Sequence, residues 1–331
     1  MDQPLRMIFI NQDLRPAYYD GFHCIMSACQ LSCCCYSWRI TFDRKDYLKL
    51  KKQRGSADLN ARMAHALHRL HDEDWYGEFS LENGICPLLR DGLCGLQREK
   101  GEKVLPQVCR TFPRREEYVR SGYLERALSP GCEAVLALLW DRTEGVDFRS
   151  DPLPPEKKAT LTAQEESALA PYFQEIRSVC IDFLQDRALP LPQRILWMGV
   201  ALQRLAEQPE NPEDWLSQAR AMLADPRRGE LCAAQSGEEA GALPLYLWNN
   251  VQIVLKNFLD DPEKRKVYDL IRDTLGLRGS GGEGAVNRSS YLACRDRFHS
   301  RFDRHPEFFE NLMVSTFFFL TLPHVDTLEA L

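Results

Sequence analysis

No apolar run in this 331-residue chain is long enough to cross a bilayer. The best candidate, "LMVSTFFFLTL" at 312–322, has about half the required length and reads as a buried helix or strand. The N-terminus makes a poor secretion signal, because Asp2 precedes its apolar stretch and no small-residue cleavage site follows. A cytoplasmic setting without stable membrane insertion is therefore expected. Positive charge is not in excess either. Lys and Arg number 42 against 48 Asp and Glu, a formal charge of −6, which argues against a dominant nucleic-acid surface. No Cys-x-x-Cys pair occurs, so a standard zinc finger is excluded. The glycine-rich "GLRGSGGEGAVNRS", 276–289, lacks both the Lys-Ser/Thr of a phosphate loop and a strand before it.

Cysteine is what the chain has in plenty. Nine of its 12 cysteines lie between Cys24 and Cys132: Cys24, Cys29, Cys33, Cys34, Cys35, Cys86, Cys94, Cys109 and Cys132. Cys180, Cys232 and Cys294 are scattered singly and read as small buried hydrophobes. In a reducing compartment such crowding points to metal binding or redox chemistry rather than to disulfides. Thiolates are soft ligands that select zinc, copper(I) or iron–sulfur clusters, and four suffice for a closed site. Nine exceed one mononuclear site, so either two sites exist or some thiols are spectators.

Periodicity and punctuation divide the chain into a cysteine-rich domain at 1–146, a linker at 147–162 and a helical domain at 163–331. The fold class expected is α+β, predominantly α, with short strands confined to the first domain. The linker reading rests on "DFRSDPLPPEKKATLT", whose three prolines and charges suit neither a helix nor a central strand. Thr162 and Glu165 have capping-box spacing for a following helix. Tyr172, Ile176, Val179, Cys180 and Phe183 then share one helical face, as do Ile195, Met198, Leu202 and Leu205. "LYLWNNVQIVLKNFL" and "KRKVYDLIRDTL" read as further helices. In the first domain "SWRITF" alternates as a strand, while "RKDYLKLKKQR" and "NARMAHALHRLHDED" read as helices. Two runs around Ser121-Gly122 in "EEYVRSGYLERALS" suggest a hairpin. Asp91-Gly92, between Cys86 and Cys94, marks a turn.

The order Phe22-x-Cys24, Ser27-Ala28-Cys29, a Cys-Cys pair, Trp38-x-Ile40-x-x-Asp43, "CPLL", "DGLCGLQREKGEKVLPQVCRTFPR" and a final Cys-Glu resembles the flagellin lysine N-methylase (FliB) family. That family shares its cysteine signature with a broader group of zinc- or iron-chelating proteins. The resemblance is dense over 22–140 and thinner towards "FFENLMVSTFFF". It implies a lysine methyltransferase acting on a protein, flagellin, with S-adenosylmethionine and an iron–sulfur cluster, a 4Fe-4S cluster or zinc in its place. The ligand candidates it implies are Cys24, Cys29, two of Cys33, Cys34 and Cys35, then Cys86, Cys94, Cys109 and Cys132. Counting from Cys29 selects Cys33 and Cys34; counting back from Trp38 selects Cys34 and Cys35. "SPGCE" departs from the family's usual Ser-Cys-Pro-Glu, and the chain ends soon after "ENLMVSTFFF", where longer members continue.

Methyl transfer needs a neutral amine placed in line with the sulfonium methyl group, and a group to accept the amine proton. Asp43 is the candidate acceptor, and Arg110 and Arg114 could hold a cosubstrate carboxylate through bidentate hydrogen bonds. Each has a plainer role open to it. Asp43 can cap the helix starting at Arg44, and the two arginines can brace backbone carbonyls or pair with Glu116 and Glu117. His65, His68 and His71 read as a solvated face, whereas His23, beside Cys24, is a possible ligand. The basic run at 44–54 reads as a solvated helix and secondarily as a docking face for an acidic protein substrate. A metalloprotein without methyl transfer and a structural zinc module with an interaction role are the competing functions.

Overall fold

The computed structural model describes residues 5–29, 33–35, 39–72, 74–118, 122–164, 169–235, 288–320 and 322. The expected helices at 245–259 and 264–275, and nearly all of the glycine-rich loop, lie outside these residues, as does Trp38. Helices and strands are mixed in the manner of an α+β protein, and no described helix is long and apolar enough to cross a membrane.

Strand β1 (Leu5–Ile10) is followed by β2 (Gln12–Pro16). The cysteine-rich region then supplies β3 (Ile40–Phe42), α1 (Arg44–Lys51), α2 (Ala57–Ala66), β4 (Leu67–Arg69) and β5 (Gly77–Phe79). Next come β6 (Leu89–Arg90), β7 (Leu93–Cys94), α3 (Gly95–Lys100) and α4 (Gln107–Thr111). Strands β3, β5 and β4 form an antiparallel sheet in that order, with Ile40 opposite Phe79 and Phe79 opposite Leu67. The helix expected over "NARMAHALHRLHDED" ends early, because the chain turns at Ala66 into β4, where His68 pairs with Glu78 across the ladder.

β8 (Arg114–Tyr118) and β9 (Tyr123–Leu128) pair antiparallel as the expected hairpin. β9 runs parallel to β2, and β10 (Phe148–Pro152) completes the four-stranded sheet β10-β2-β9-β8. Between them lies α5 (Glu133–Trp140). β11 (Ala159–Gln164) pairs with β1.

The stretch expected as a linker therefore carries two strands, β10 and most of β11. Its prolines are accommodated without interrupting a ladder: Pro152 closes the outermost strand β10 opposite Gln12, and Pro154 and Pro155 begin the 3-10 turn that follows. Thr162 lies within strand β11 opposite Met7, and Glu165 is outside the described residues. The alternating, β-branched "ATLT" favours pairing with β1 over a helix start.

Helix α6 (Phe173–Gln185) buries Ile176, Val179, Cys180 and Phe183 as its periodicity predicts. It packs with α7 (Leu191–Glu207), α8 (Pro212–Ala224) and α11 (Phe308–Phe319), with α9 (Arg228–Gln235) against α7. α10 (Arg288–Phe302) precedes α11. On α7 the buried face is Arg194, Trp197, Met198, Ala201 and Leu205, while Ile195, expected inside, is 38% exposed. The bulkier Trp197 takes the inward position, with its indole N–H reaching the Met222 carbonyl at 3.4 Å. Each such fully buried large side chain contributes roughly 1.5–3 kcal/mol. α11 turns back onto β9 and α5, so the helical half and the four-stranded sheet share packing.

A candidate thiol centre

The sheet β3-β5-β4 and the helices around it enclose a core made of Ile40, Phe42, Leu50, Leu59, Phe79, Leu88 and Leu96. Five cysteines face this core: Cys35 and Cys86 buried, Cys34, Cys94 and Cys109 half-buried against it. Cys34 and Cys35 sit in one turn of 3-10 helix with their sulfurs 4.0 Å apart. The Cys86 N–H donates to the Cys35 carbonyl at 2.8 Å, which ties the "CPLL" segment to that turn. Cys94 ends β7, opposite Leu89 across a two-residue turn in which Asp91 and Gly92 both have positive φ, 51° and 75°. This is the backbone that an Asp-Gly hairpin adopts.

The thiols sense one another. Hydrogen bonds from Cys35 to Cys34 and Cys94 push the Cys35 thiol up. The Cys35 bond draws Cys94 down to about 6 against the effect of burial, helped by the Gln97 and Leu96 amides at the start of α3. Burial pushes Cys86 up to about 11. Burial, with charge on Cys86, Cys94 and Cys34, raises Cys109 well above the ordinary thiol range.

Cys109 reaches the core on α4, a helix of one turn that a pair of side chains on α1 holds from both directions. The Asp46 carboxylate accepts the Gln107 N–H at 2.6 Å, and Lys49 donates to the Leu105 carbonyl at 2.9 Å. Lys49 and Asp46 also pair with each other at 2.7 Å. Burial works against ionisation of Asp46, yet the Lys49 ammonium and the Gln107 amide hold its carboxyl below the usual range. Sequence reading missed this clamp by treating 44–54 as a solvated face. Its one trace was a single acid inside a basic run.

Three other cysteines lie elsewhere. Cys24 is exposed, and its sulfur accepts the Met26 N–H at 3.4 Å. The Cys29 thiol donates to Glu133 Oε2 at 3.4 Å, at the start of α5, and the neighbouring buried Cys132 is the N-cap of that helix. Cys132 packs with Tyr19, Phe22, Leu128 and Val135 in a separate core. The Cys33 side chain lies outside the described set. Cys34, which both registers share, and Cys35 face the core. Among the described residues no three His, Cys, Asp or Glu side chains stand grouped as a metal site.

Asp43 occupies the N-cap of α1, where Oδ1 accepts the Asp46 N–H at 2.8 Å. Arg114 donates to the Phe22 carbonyl at 3.1 Å and stacks over the Phe22 ring at 4.7 Å, so it braces the segment leading to Cys24. Arg110 is exposed at the end of α4, and its charge favours the ionised form of Asp46. His65 pairs with Glu82, and His68 lies on β4 against the His65 carbonyl at 2.7 Å, both exposed. His23 is also exposed.

The fold and its thiols define an α+β protein with a sulfur-lined core joined to a helical half. Residues 177–327 match the family model described as the FliB lysine N-methylase C-terminal domain. The match covers 151 of the 331 residues, and what it shows is the similarity of this part of the chain to that domain. It lies over the helical half; the nine clustered cysteines precede it. No curated protein and no solved structure matched the chain.

Proposed function

We propose that the protein methylates lysine side chains of flagellin, with S-adenosylmethionine as methyl donor and an iron–sulfur cluster in the thiol-lined core. The family match over 177–327 carries the class of reaction. The donor chemistry supports the centre: five cysteines, whose thiolates are of the type that iron–sulfur clusters take, line one core. Cys34, Cys35, Cys86, Cys94 and Cys109 are the residues that would hold it.

S-adenosylmethionine supplies an electrophilic methyl on a sulfonium, and a bound cluster supplies iron able to act as a Lewis acid or one-electron centre. The chain's own residues supply placement and a proton acceptor. Asp43 has one oxygen on the Asp46 amide and lies exposed at the head of α1, so its other oxygen is offered to the proton that the attacking amine releases. Arg110, exposed on the helix that carries Cys109, is the guanidinium offered to the donor's carboxylate. Arg114 is committed to Phe22 and holds the opening segment of the cysteine signature.

Protein purified without oxygen should carry iron and sulfide, and should pass labelled methyl from S-adenosylmethionine to a cognate flagellin. Colourless protein with zinc and no iron would sink the cluster and favour a structural zinc module. Iron-loaded protein that transfers no label would sink the methylase.

A further inference from the structure

The outward face of α1 has a composition that the clamp on α4 does not explain. At 100° per residue, Arg44, Lys45, Leu48, Lys51 and Lys52 fall within an arc of about 120°. All five are exposed, Leu48 to 41%. Asp46, Tyr47, Lys49 and Leu50 occupy the opposite side, and Asp46 and Lys49 are spent on each other and on the backbone of 105–107. Arg54 extends the basic stretch, turned back on the Lys51 and Gln53 carbonyls.

Among the described residues none of Arg44, Lys45, Lys51, Lys52 and Arg54 forms an ion pair. In a chain of net charge −6 such a run concentrates positive potential on one short helix. Several arginines elsewhere on the surface are neutralised: Arg62 pairs with Asp58, Arg115 with Glu117 and Arg227 with Asp225. The same helix is fixed by the Asp46–Lys49 clamp to α4, so whatever docks on its outer face is held beside the thiol core.

We propose that this face of α1 is the docking surface for an acidic segment of the protein substrate. The proposal rests on the methylase reading above. Four cations and one exposed leucine fit a polypeptide, which offers carboxylates and apolar side chains together, better than a uniform phosphate chain. The overall negative charge also disfavours a nucleic acid, whose backbone would meet repulsion beyond this patch. Screened surface attraction of this kind acts mainly on encounter and on binding strength, not on the chemical step.

The test uses the full chain and fluorescein-labelled poly-L-glutamate, with single-stranded DNA of equal length as competitor. Wild type should bind the peptide with an affinity that falls as salt rises. Lys45→Glu, Lys51→Glu and Lys52→Glu together should weaken binding by about tenfold or more. Reversing Arg204, Arg220 and Arg301 to Glu, on the helical half, should change it little. Circular dichroism and bound iron should be the same in all three proteins. Retained peptide binding by the α1 variant, an equal loss in the control variant, or tighter binding of DNA would each overturn the proposal. Peptide binding that depends on α1 in a protein that transfers no methyl group would leave the docking surface standing and sink only the methylase.

Discussion

Arg177 of α6 and Glu125 of β9 form a bidentate ion pair shut away from solvent, with side chains 2% and 0% exposed. The Arg177 Nη1 lies 2.9 Å from Glu125 Oε2, and Nη2 reaches Oε1. Gln174 completes the arrangement, donating to Glu125 Oε1 and accepting from Arg177, both at 2.8 Å. The guanidinium lies between the rings of Phe173 and Phe318, 4.7 and 4.6 Å from their centroids. Strand, α6 and α11 thus meet at one charge pair.

Glu125→Gln should cost about 3–5 kcal/mol, because it strands a buried guanidinium, and urea unfolding should show the midpoint fall accordingly. Replacing both partners, Glu125→Leu with Arg177→Met, should recover much of that loss. A double variant as unstable as the single one would show that the pair itself adds net stability.

Asp186, at the end of α6, accepts from Arg228 of α9 at 2.6 and 3.1 Å. The guanidinium holds its carboxyl below the ordinary 3.8 despite partial burial. A carboxyl whose folded pKa is lowered adds stability above its unfolded pKa and loses it as pH falls through the folded one. The stability difference between wild type and Asp186→Asn should therefore be constant above about pH 5 and shrink below about pH 4. A difference that persists unchanged into more acidic solution would contradict the assignment.

The clamp on α4 makes a separate claim. Asp46→Ala leaves the Gln107 amide without its acceptor and Lys49 with only the Leu105 carbonyl, at a cost of about 1–3 kcal/mol. The local consequence should exceed the global one: Cys109 should react with a thiol reagent several-fold faster while the far-UV spectrum holds. Asp46→Asn, which can still accept the amide N–H, should restore most of the protection. Equal reactivity in all three proteins would remove Asp46 from any positioning role.

Much of this was legible in the residues. Asp91-Gly92 announced its hairpin through backbone preference, and the α6 face announced itself through period 3.6. Strands β10 and β11 were hidden because prolines and charges resemble a linker until the partners, β2 and β1, are known to leave edges for them. Long-range pairing leaves no local signature. The same holds for Asp46, whose partner lies 61 residues away. The cysteine spacing raised the expectation of a shared centre, but which thiols face one core depends on β3-β5-β4 and α4. That arrangement separates Cys24, Cys29 and Cys132 from the five that face the core.

That separation decides the last prediction. If the thiol core holds the cluster, Cys34→Ser, Cys86→Ser and Cys109→Ser should each lose most of the bound iron and the visible absorption that goes with it. Cys24→Ser should keep its iron, since this exposed thiol lies outside the core. Cys180→Ser is the control for burying a hydroxyl. Its thiol is buried in the helical half and pushed up to about 12 by that burial, so the change should lower stability and spare the metal. A strong iron chelator should bleach wild type and leave Cys34→Ser unchanged. Iron lost from Cys24→Ser but kept by Cys109→Ser would place the centre by α5, where Cys29 meets Glu133.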